Sequence, residues 1–203
     1  EVGVVLVDIG GGTTDITIYS EGSIVHTAVL ALGGNHLTHD IAIGLGTPLQ
    51  EAEEIKHSDG IALSDMTDEN EMIAVPSVGG RNNRQMKKLV LAGIIEDRFR
   101  EIFELIGREI EKTHYHKLMA SGVVITGGSC IMPGVDQLAH QVLNMPVRVG
   151  FPEHISGLKE LIYSPKYATS VGLVRYGITS NQGKLNFVGD ETNLFHKVSR
   201  RMK

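Results

Sequence analysis

Residues 8–15, Asp-Ile-Gly-Gly-Gly-Thr-Thr-Asp, constrain what this chain can fold into more than any other stretch. An apolar run at residues 2–7 precedes them and reads as a buried strand. Ile16, Ile18 and Tyr19 follow and read as the strand that returns beside it. Three glycines between two core strands force a tight turn whose successive N–H groups have no Cβ in front of them. Such a concavity binds anions, phosphate above all. Asp8 and Asp15 stand at its two ends, where neither touches a phosphate without repulsion. A hydrated Mg²⁺ held between them and the phosphate resolves that conflict, because Mg²⁺ keeps several waters and takes few carboxylates. Thr13 and Thr14 add hydroxyl donors. The glycines alone fit a plain hairpin turn equally well; the aspartate pair tips the balance.

The 203 residues are enough to bury a full core in one domain or two small ones. A net charge of −5 with neutral histidines leaves no electrostatic footprint for nucleic acid. Cys130 is the single cysteine, which excludes an internal disulfide and a cysteine-built zinc site and fits a reducing compartment. No apolar run is long enough to span a bilayer, and no signal peptide is visible. The chain opens at a strand with Glu1 rather than Met, so it reads as a piece of a longer protein.

Residues 24–32 form a third strand after a turn at Glu21-Gly22. Gly33-Gly34-Asn35-His36 then opens an apolar-periodic helix through Leu37, Ile41, Ala42 and Leu45. A helix N-terminus carries free N–H donors, so this is a second candidate for phosphate or ribose approach; His36 and His39 beside it read as surface residues. Thr47-Pro48 predicts another helix, capped by Thr47, that reaches His57 and places Glu53 and Lys56 on one face. That pair offers an acceptor and a donor to a ribose or a purine edge, although a solvated face explains most of the helix's charges.

An acidic loop at residues 64–71, a short strand at 72–75 and a polar turn at 77–84 come next. A long amphipathic helix is expected from Gln85 to His116, with Leu91, Ile95, Phe99, Ile102, Ile106 and Ile110 as its core stripe. Arg84, Arg98 and Arg100 lie off the stripe, where they can meet an acidic partner. The apolar strand 123–126 ends in Gly127-Gly128-Ser129 and leads into a helix, a unit that lets a ligand lie on bare backbone at the carboxyl end of a strand. It is not a Gly-x-Gly-x-x-Gly fingerprint, which disfavours a dinucleotide site. A short strand follows at 147–149 and a last core helix at 165–176. Residues 180–193 read as a linker. Leu194, Phe195, Val198 and Met202 then fall at helical spacing with four basic residues between them, the start of a basic amphipathic helix of the membrane-surface type.

Three glycine turns, with Glu-x-x-Lys on a helix between the second and third, resemble the second half of the actin-like ATPase fold. Asp8 to Asp15 resembles its second phosphate motif, residues 127–134 its adenosine motif and residues 168–172 its second connecting motif. Within that superfamily the chain resembles the FtsA family of bacterial division proteins. The resemblance is carried by His26-Thr27-Ala28-Val29, by residues 32–38 with Asp40-Ile41-Ala42, by Glu51 to Lys56, and by residues 168–173. It implies an α/β fold of the actin-like (ribonuclease H-like) kind, a mixed β-sheet flanked by helices with a smaller inserted α+β subdomain. Residues 1–46 and 115–179 would form the nucleotide-binding subdomain 2A, and 47–114 the partner-binding subdomain 2B.

The resemblance also implies ATP and Mg as ligands. Asp8 would orient Mg-bound water, with Asp15 on the same ion through water. Gly10, Gly11, Gly12, Thr13 and Thr14 would hold the β- and γ-phosphates, and Gly34 and Asn35 would approach the ribose and phosphate side. Glu53 and Lys56 would contact the ribose or adenine, and Gly127, Gly128, Ser129 and Met132 would line the base. Chaperone relatives have an arginine where Ile131 stands.

The implied role is mechanical rather than catalytic. FtsA proteins tether the FtsZ ring to the cytoplasmic face of the inner membrane, polymerise like actin and recruit other divisome proteins. Arg81, Arg84 and Arg98 are candidates for the carboxylates of the FtsZ carboxy-terminal peptide, because guanidinium forks bind carboxylate bidentately. A sugar or acetate kinase of the same fold, using Asp8 or Asp15 near a transferred phosphoryl group, is the alternative, as is another actin-like ATPase such as MreB.

Overall fold

The computed structural model describes residues 3–77, 79, 82–113, 121–153 and 162–181. Arg81, the far end of the helix expected to reach His116, the linker beyond residue 181 and the basic tail at 194–203 lie outside the described residues. The chain falls into two compact units, Glu1–Ala168 and Thr169–Lys203.

In chain order the first unit holds β1 (Val4–Ile9), β2 (Thr14–Ser20), β3 (Ser23–Leu30), α1 (Gly34–Leu45), α2 (Leu49–Asp59), β4 (Met72–Val75) and β5 (Arg84–Lys87). Then come α3 (Lys88–Glu111), β6 (Val123–Thr126), α4 (Val135–Leu143) and β7 (Val147–Val149). β1, β2 and β3 pair as an antiparallel meander, whereas β6 and β7 run parallel to β1. The five-stranded sheet has the order β3-β2-β1-β6-β7. Glu21 and Gly22 both sit at positive φ, 51° and 76°, the twist that matches a two-residue hairpin between β2 and β3.

Alternation along the strands sends Val5, Val7, Ile9, Ile16 and Ile18 into a core shared with Leu37, Ile41 and Leu45 of α1. The stripe of α3 is buried as its period requires, with Phe99 and Phe103 stacked at 5.9 Å between centroids. All four residues of β6 are buried, as befits the inner position of a strand paired on both sides. Because β1 and β6 are parallel neighbours, their carboxyl ends bring Gly10 to Gly12 and Gly127-Gly128 to one edge of the sheet.

The structure departs from the sequence reading in three places. Residues Arg84–Lys87 are a strand that pairs antiparallel with β4, and α3 starts only at Lys88. Gln85, Met86 and Lys87 favour helix locally, but β4 leaves an unpaired ladder that they satisfy instead. Thr47 does not cap α2: its hydroxyl donates to the Pro76 carbonyl at 2.8 Å. A short 3₁₀ turn, Pro165–Tyr167, replaces the first turn of the expected last helix. That helix, α5 (Ala168–Asn181), lies in the second unit except for its first residue.

Candidate functional site

The three glycine turns interlock. The Gly10 N–H donates to the Thr13 carbonyl at 2.9 Å and closes the β1–β2 turn. Gly34 N–H donates to Gly10 O at 2.9 Å and Asn35 N–H to Gly11 O at 2.8 Å, which clamps the start of α1 onto that turn. The Ser129 hydroxyl donates to the same Gly10 carbonyl at 3.2 Å and brings in the third turn. The packing leaves no room for side chains: a Cβ on Gly33 would lie 2.7 Å from Gly10 O, and one on Gly34 would lie 2.8 Å from Ser129 Oγ. Gly33 N–H is accepted by Nδ1 of His36 at 3.1 Å, so this histidine caps the helix rather than lying idle on the surface.

This arrangement changes which donors face a ligand. The first two amides of α1, expected to receive an anion, are spent on the turn's own carbonyls. The amides of Gly11, Gly12 and Thr13 have no backbone partner among the described residues, and a Cβ on Gly12 would meet nothing within 4 Å. Thr14 is also committed elsewhere: it is fully buried and its hydroxyl donates to Leu32 O at 2.9 Å. Thr13, by contrast, is exposed and donates to Asp15 Oδ2 at 3.2 Å.

Asp8 and Asp15 are directly opposite in the β1–β2 register and therefore share one face of the sheet. Two like charges so placed favour a bridging cation. Among the described residues no three His, Cys, Asp or Glu side chains gather around a point. A donor set of two carboxylates suits Mg²⁺, whose remaining ligands are water and phosphate. Gly127, at φ 95°, backs against the Asp8 carboxylate and the Ile9 carbonyl, which only a glycine permits.

Glu53 and Lys56 meet on α2. The Lys56 ammonium donates to Glu53 Oε2 at 2.7 Å, to Thr38 Oγ1 at 2.8 Å and to Gly34 O at 3.1 Å, so its three donors are all used. The Thr38 hydroxyl donates a hydrogen bond to the same Glu53 oxygen, and His57 lies 2.9 Å from the other carboxylate oxygen. Burial pushes the Glu53 pKa up, but hydrogen bonds from Lys56 and Thr38 and the nearby positive charge outweigh it and hold the carboxyl below its ordinary range. The cluster ties α2 to the first turn of α1.

Together these elements enclose a cleft of about 450 Å³. Nine of the sequence-chosen residues line it: Gly10, Gly11, Gly34, Asn35, Glu53, Lys56, Gly128, Ser129 and Met132. Gly12, Thr13, Thr14, Asp8, Asp15 and Gly127 lie off its wall. Lining residues that the sequence reading passed over include His57, Gly60, Phe99, Pro133 and Lys166. Gly60 is there for want of space, since a Cβ would run into the Lys56 carbonyl and stand 3.0 Å from Met132 Cε, a constraint that only the fold reveals. Cys130, beside the cleft, is buried, and burial pushes its thiol pKa up, which makes it inert.

Among the described residues, the arginines singled out in the sequence are already engaged. Arg98 grips Asp40 of α1 with two nitrogens, at 2.5 and 3.0 Å, and also holds Glu101. Arg84 donates to the Leu45 and Gly46 carbonyls at the end of α1, and Arg100 pairs with Glu96 at 2.7 Å.

A family model described as Cell division protein FtsA matches residues 5–172. The FtsA of Pseudomonas aeruginosa is 46% identical over 178 residues, which is 88% of this chain and 43% of that protein. The FtsA of Escherichia coli is 42% identical over 188 residues, 89% of this chain and 45% of that protein. The Borreliella burgdorferi protein is 37% identical across the whole chain and half of its own length. The chain thus spans about half the length of the curated relatives it matches. Among solved structures, MreB5 of Spiroplasma citri bound to ADP superposes with a TM-score of 0.69 at 20% identity, covering 91% of this chain and 56% of that one. The PilM–PilN type IV pilus biogenesis complex gives 0.65 at 18% identity, covering 87% and 46%. The likeness is one of fold: a mixed sheet flanked by helices, of the actin-like ATPase kind.

Proposed function

The chain belongs to the cell division protein FtsA family, and on that premise we propose that it is the nucleotide-responsive, partner-binding half of a division adaptor. The observation that carries the nucleotide part is the cleft where three glycine turns converge, with the Gly11 amide, which has no backbone partner among the described residues, in its wall and those of Gly12 and Thr13 following it in the turn. In this reading the Gly11, Gly12 and Thr13 amides receive phosphate, and Glu53, Lys56, Gly128, Ser129 and Met132 surround the nucleoside. Asp8 and Asp15 would hold Mg²⁺ through water, which would supply charge neutralisation at the phosphates. The MreB5 structures bound to ADP and AMPPNP show relatives of this fold with nucleotide.

The proposal extends to the partners of the family: attachment of the FtsZ ring, self-assembly, recruitment of other division proteins, and peripheral attachment to the inner membrane through the basic segment 194–203. No helix among the described residues is long and apolar enough to cross a membrane. Residues 47–114 would form the partner-binding insert, with Arg81, Arg84 and Arg98 as the candidate contacts for an acidic peptide. Arg98 already holds Asp40 and Glu101, and Arg84 two carbonyls, so docking there is an exchange of partners rather than a simple gain. Slow ATP hydrolysis would belong to the longer protein.

Fluorescence anisotropy of a labelled FtsZ carboxy-terminal peptide, titrated with the chain at low and high salt, tests the adaptor reading. Saturable binding that weakens with salt is expected. A folded chain that leaves the peptide free at every concentration rejects the arginine assignment and moves the peptide site out of this half.

A further inference from the structure

Among the described residues two ammonium groups line the cleft, and one of them is fully spent. Lys56 has every donor engaged, on Glu53, Thr38 and Gly34. Lys166 has no carboxylate partner among the described residues; its ammonium lies over the Tyr167 ring, 4.8 Å from the centroid. Its backbone is fixed, because the carbonyl of the preceding Pro165 accepts from the Gly127 N–H at 3.3 Å and from the Thr126 hydroxyl at 3.3 Å. The side chain starts beside Gly128: a Cβ on that glycine would lie 3.9 Å from Lys166 Cβ.

The neighbourhood decides what such a cation meets. Ser129, the next residue after Gly128, hydrogen-bonds the Gly10 carbonyl, so Lys166 stands where the third glycine turn touches the β1–β2 turn. That is the joint between a nucleoside lying on residues 128–132 and phosphates lying on residues 11–13. An ammonium that swings from the Tyr167 ring to this joint would meet the proximal phosphates, which ATP and ADP share and adenosine lacks. Its place over Tyr167 is a weak attachment, easily surrendered to a phosphate oxygen.

We propose that Lys166 is a positioning and affinity residue for the proximal phosphates of the bound nucleotide, an inference that rests on the nucleotide reading of the cleft. It differs from Lys56, whose work is to hold α2 against α1.

The test is an amide chemical-shift titration of the chain with ATP, ADP and adenosine in the presence of Mg²⁺, read at Gly11, Gly12 and Thr13 and at Ser129. Lys166→Met is expected to weaken ATP and ADP about three- to tenfold alike and to leave adenosine within about twofold, with the difference shrinking as salt is raised. Lys166→Arg is expected to restore most of the loss. Lys166 is exposed, so both variants should melt where the parent does. Unchanged ATP and ADP affinity in the Met variant overturns the inference. So does a parallel loss of adenosine, which would place the lysine on the base. A parent chain that shows no saturable shift with any of the three overturns the nucleotide reading itself, and the inference with it.

Discussion

Lys56→Met tests whether the α1–α2 contact is electrostatic or merely packed. The substitution keeps most of the stem and removes three hydrogen bonds, to Glu53, Thr38 and Gly34. The Lys56 side chain is only 10% exposed, so water cannot readily replace its donors, whereas Glu53 is 42% exposed and rehydrates in part. Hydrogen bonds to a charged group contribute about 1.5–3 kcal/mol each when buried, and the exposure of Glu53 discounts the cluster to about 2 kcal/mol in total. For a protein of this size that is a fall in melting temperature of about 4–8 °C. The pH dependence separates the explanations. Glu53 has a lowered pKa in the folded chain, so its contribution is present above the unfolded value and is lost as pH falls through the folded one. Urea unfolding of parent and variant at pH 7 and at acid pH should therefore show a penalty that narrows on the acid side. A penalty below about 0.5 kcal/mol at pH 7, or one that stays constant across the series, sinks the electrostatic account.

Gly127→Ala should be among the most damaging single substitutions, costing about 2 kcal/mol or more, because the residue sits at φ 95° against the Asp8 carboxylate and the Ile9 carbonyl; urea midpoints measure it. Arg98→Ala should cost about 1 kcal/mol through loss of the bidentate grip on Asp40, and a double-mutant cycle with Asp40→Asn should return most of that as coupling. His36→Ala leaves the Gly33 N–H without its acceptor and should cost about 0.5–1 kcal/mol, seen as faster hydrogen exchange at the first turn of α1. Glu96, held low by Ser64 and Arg100 against the upward push of burial, adds a second acid-side loss that Ser64→Ala should reduce.

How far the sequence could be read depended on whether a residue's constraint was local. The β1–β2 turn and the parallel strand ending in Gly127 were legible because glycines between apolar runs admit few backbone paths. Thr14 could have been placed correctly as well: it lies two residues before Ile16 and four before Ile18, so the period of two that buries them buries it. Its hydroxyl donates to the Leu32 carbonyl. β5 was not legible, since Gln85, Met86 and Lys87 suit a helix and only the distant ladder of β4 makes them a strand. The spent amides of Gly34 and Asn35 carried no sequence signal, because their partners lie more than twenty residues away on another turn.

Those long-range bonds determine how the cleft can accept a ligand. α1 contributes its position but not its first amides, and Lys56 contributes a tether but not a free donor. Among the described residues, the amides of residues 11–13 and Lys166 are donors that an anion can reach without breaking a backbone hydrogen bond or a salt bridge. A ligand that instead draws on Lys56 has to displace Glu53, Gly34 or Thr38, and release of either of the last two loosens α2 from α1. The far side of α2 is bound to the third turn as well, through Ala62 N–H on the Pro133 carbonyl at 2.9 Å and Met132 packed on Gly60. Loosening at Lys56 would then be felt at Met132, on the wall of the cleft. On the proposed nucleotide reading, phosphate contacts would set the affinity, and the Glu53–Lys56 cluster would link the nucleoside side of the cleft to the packing of α1 against α2.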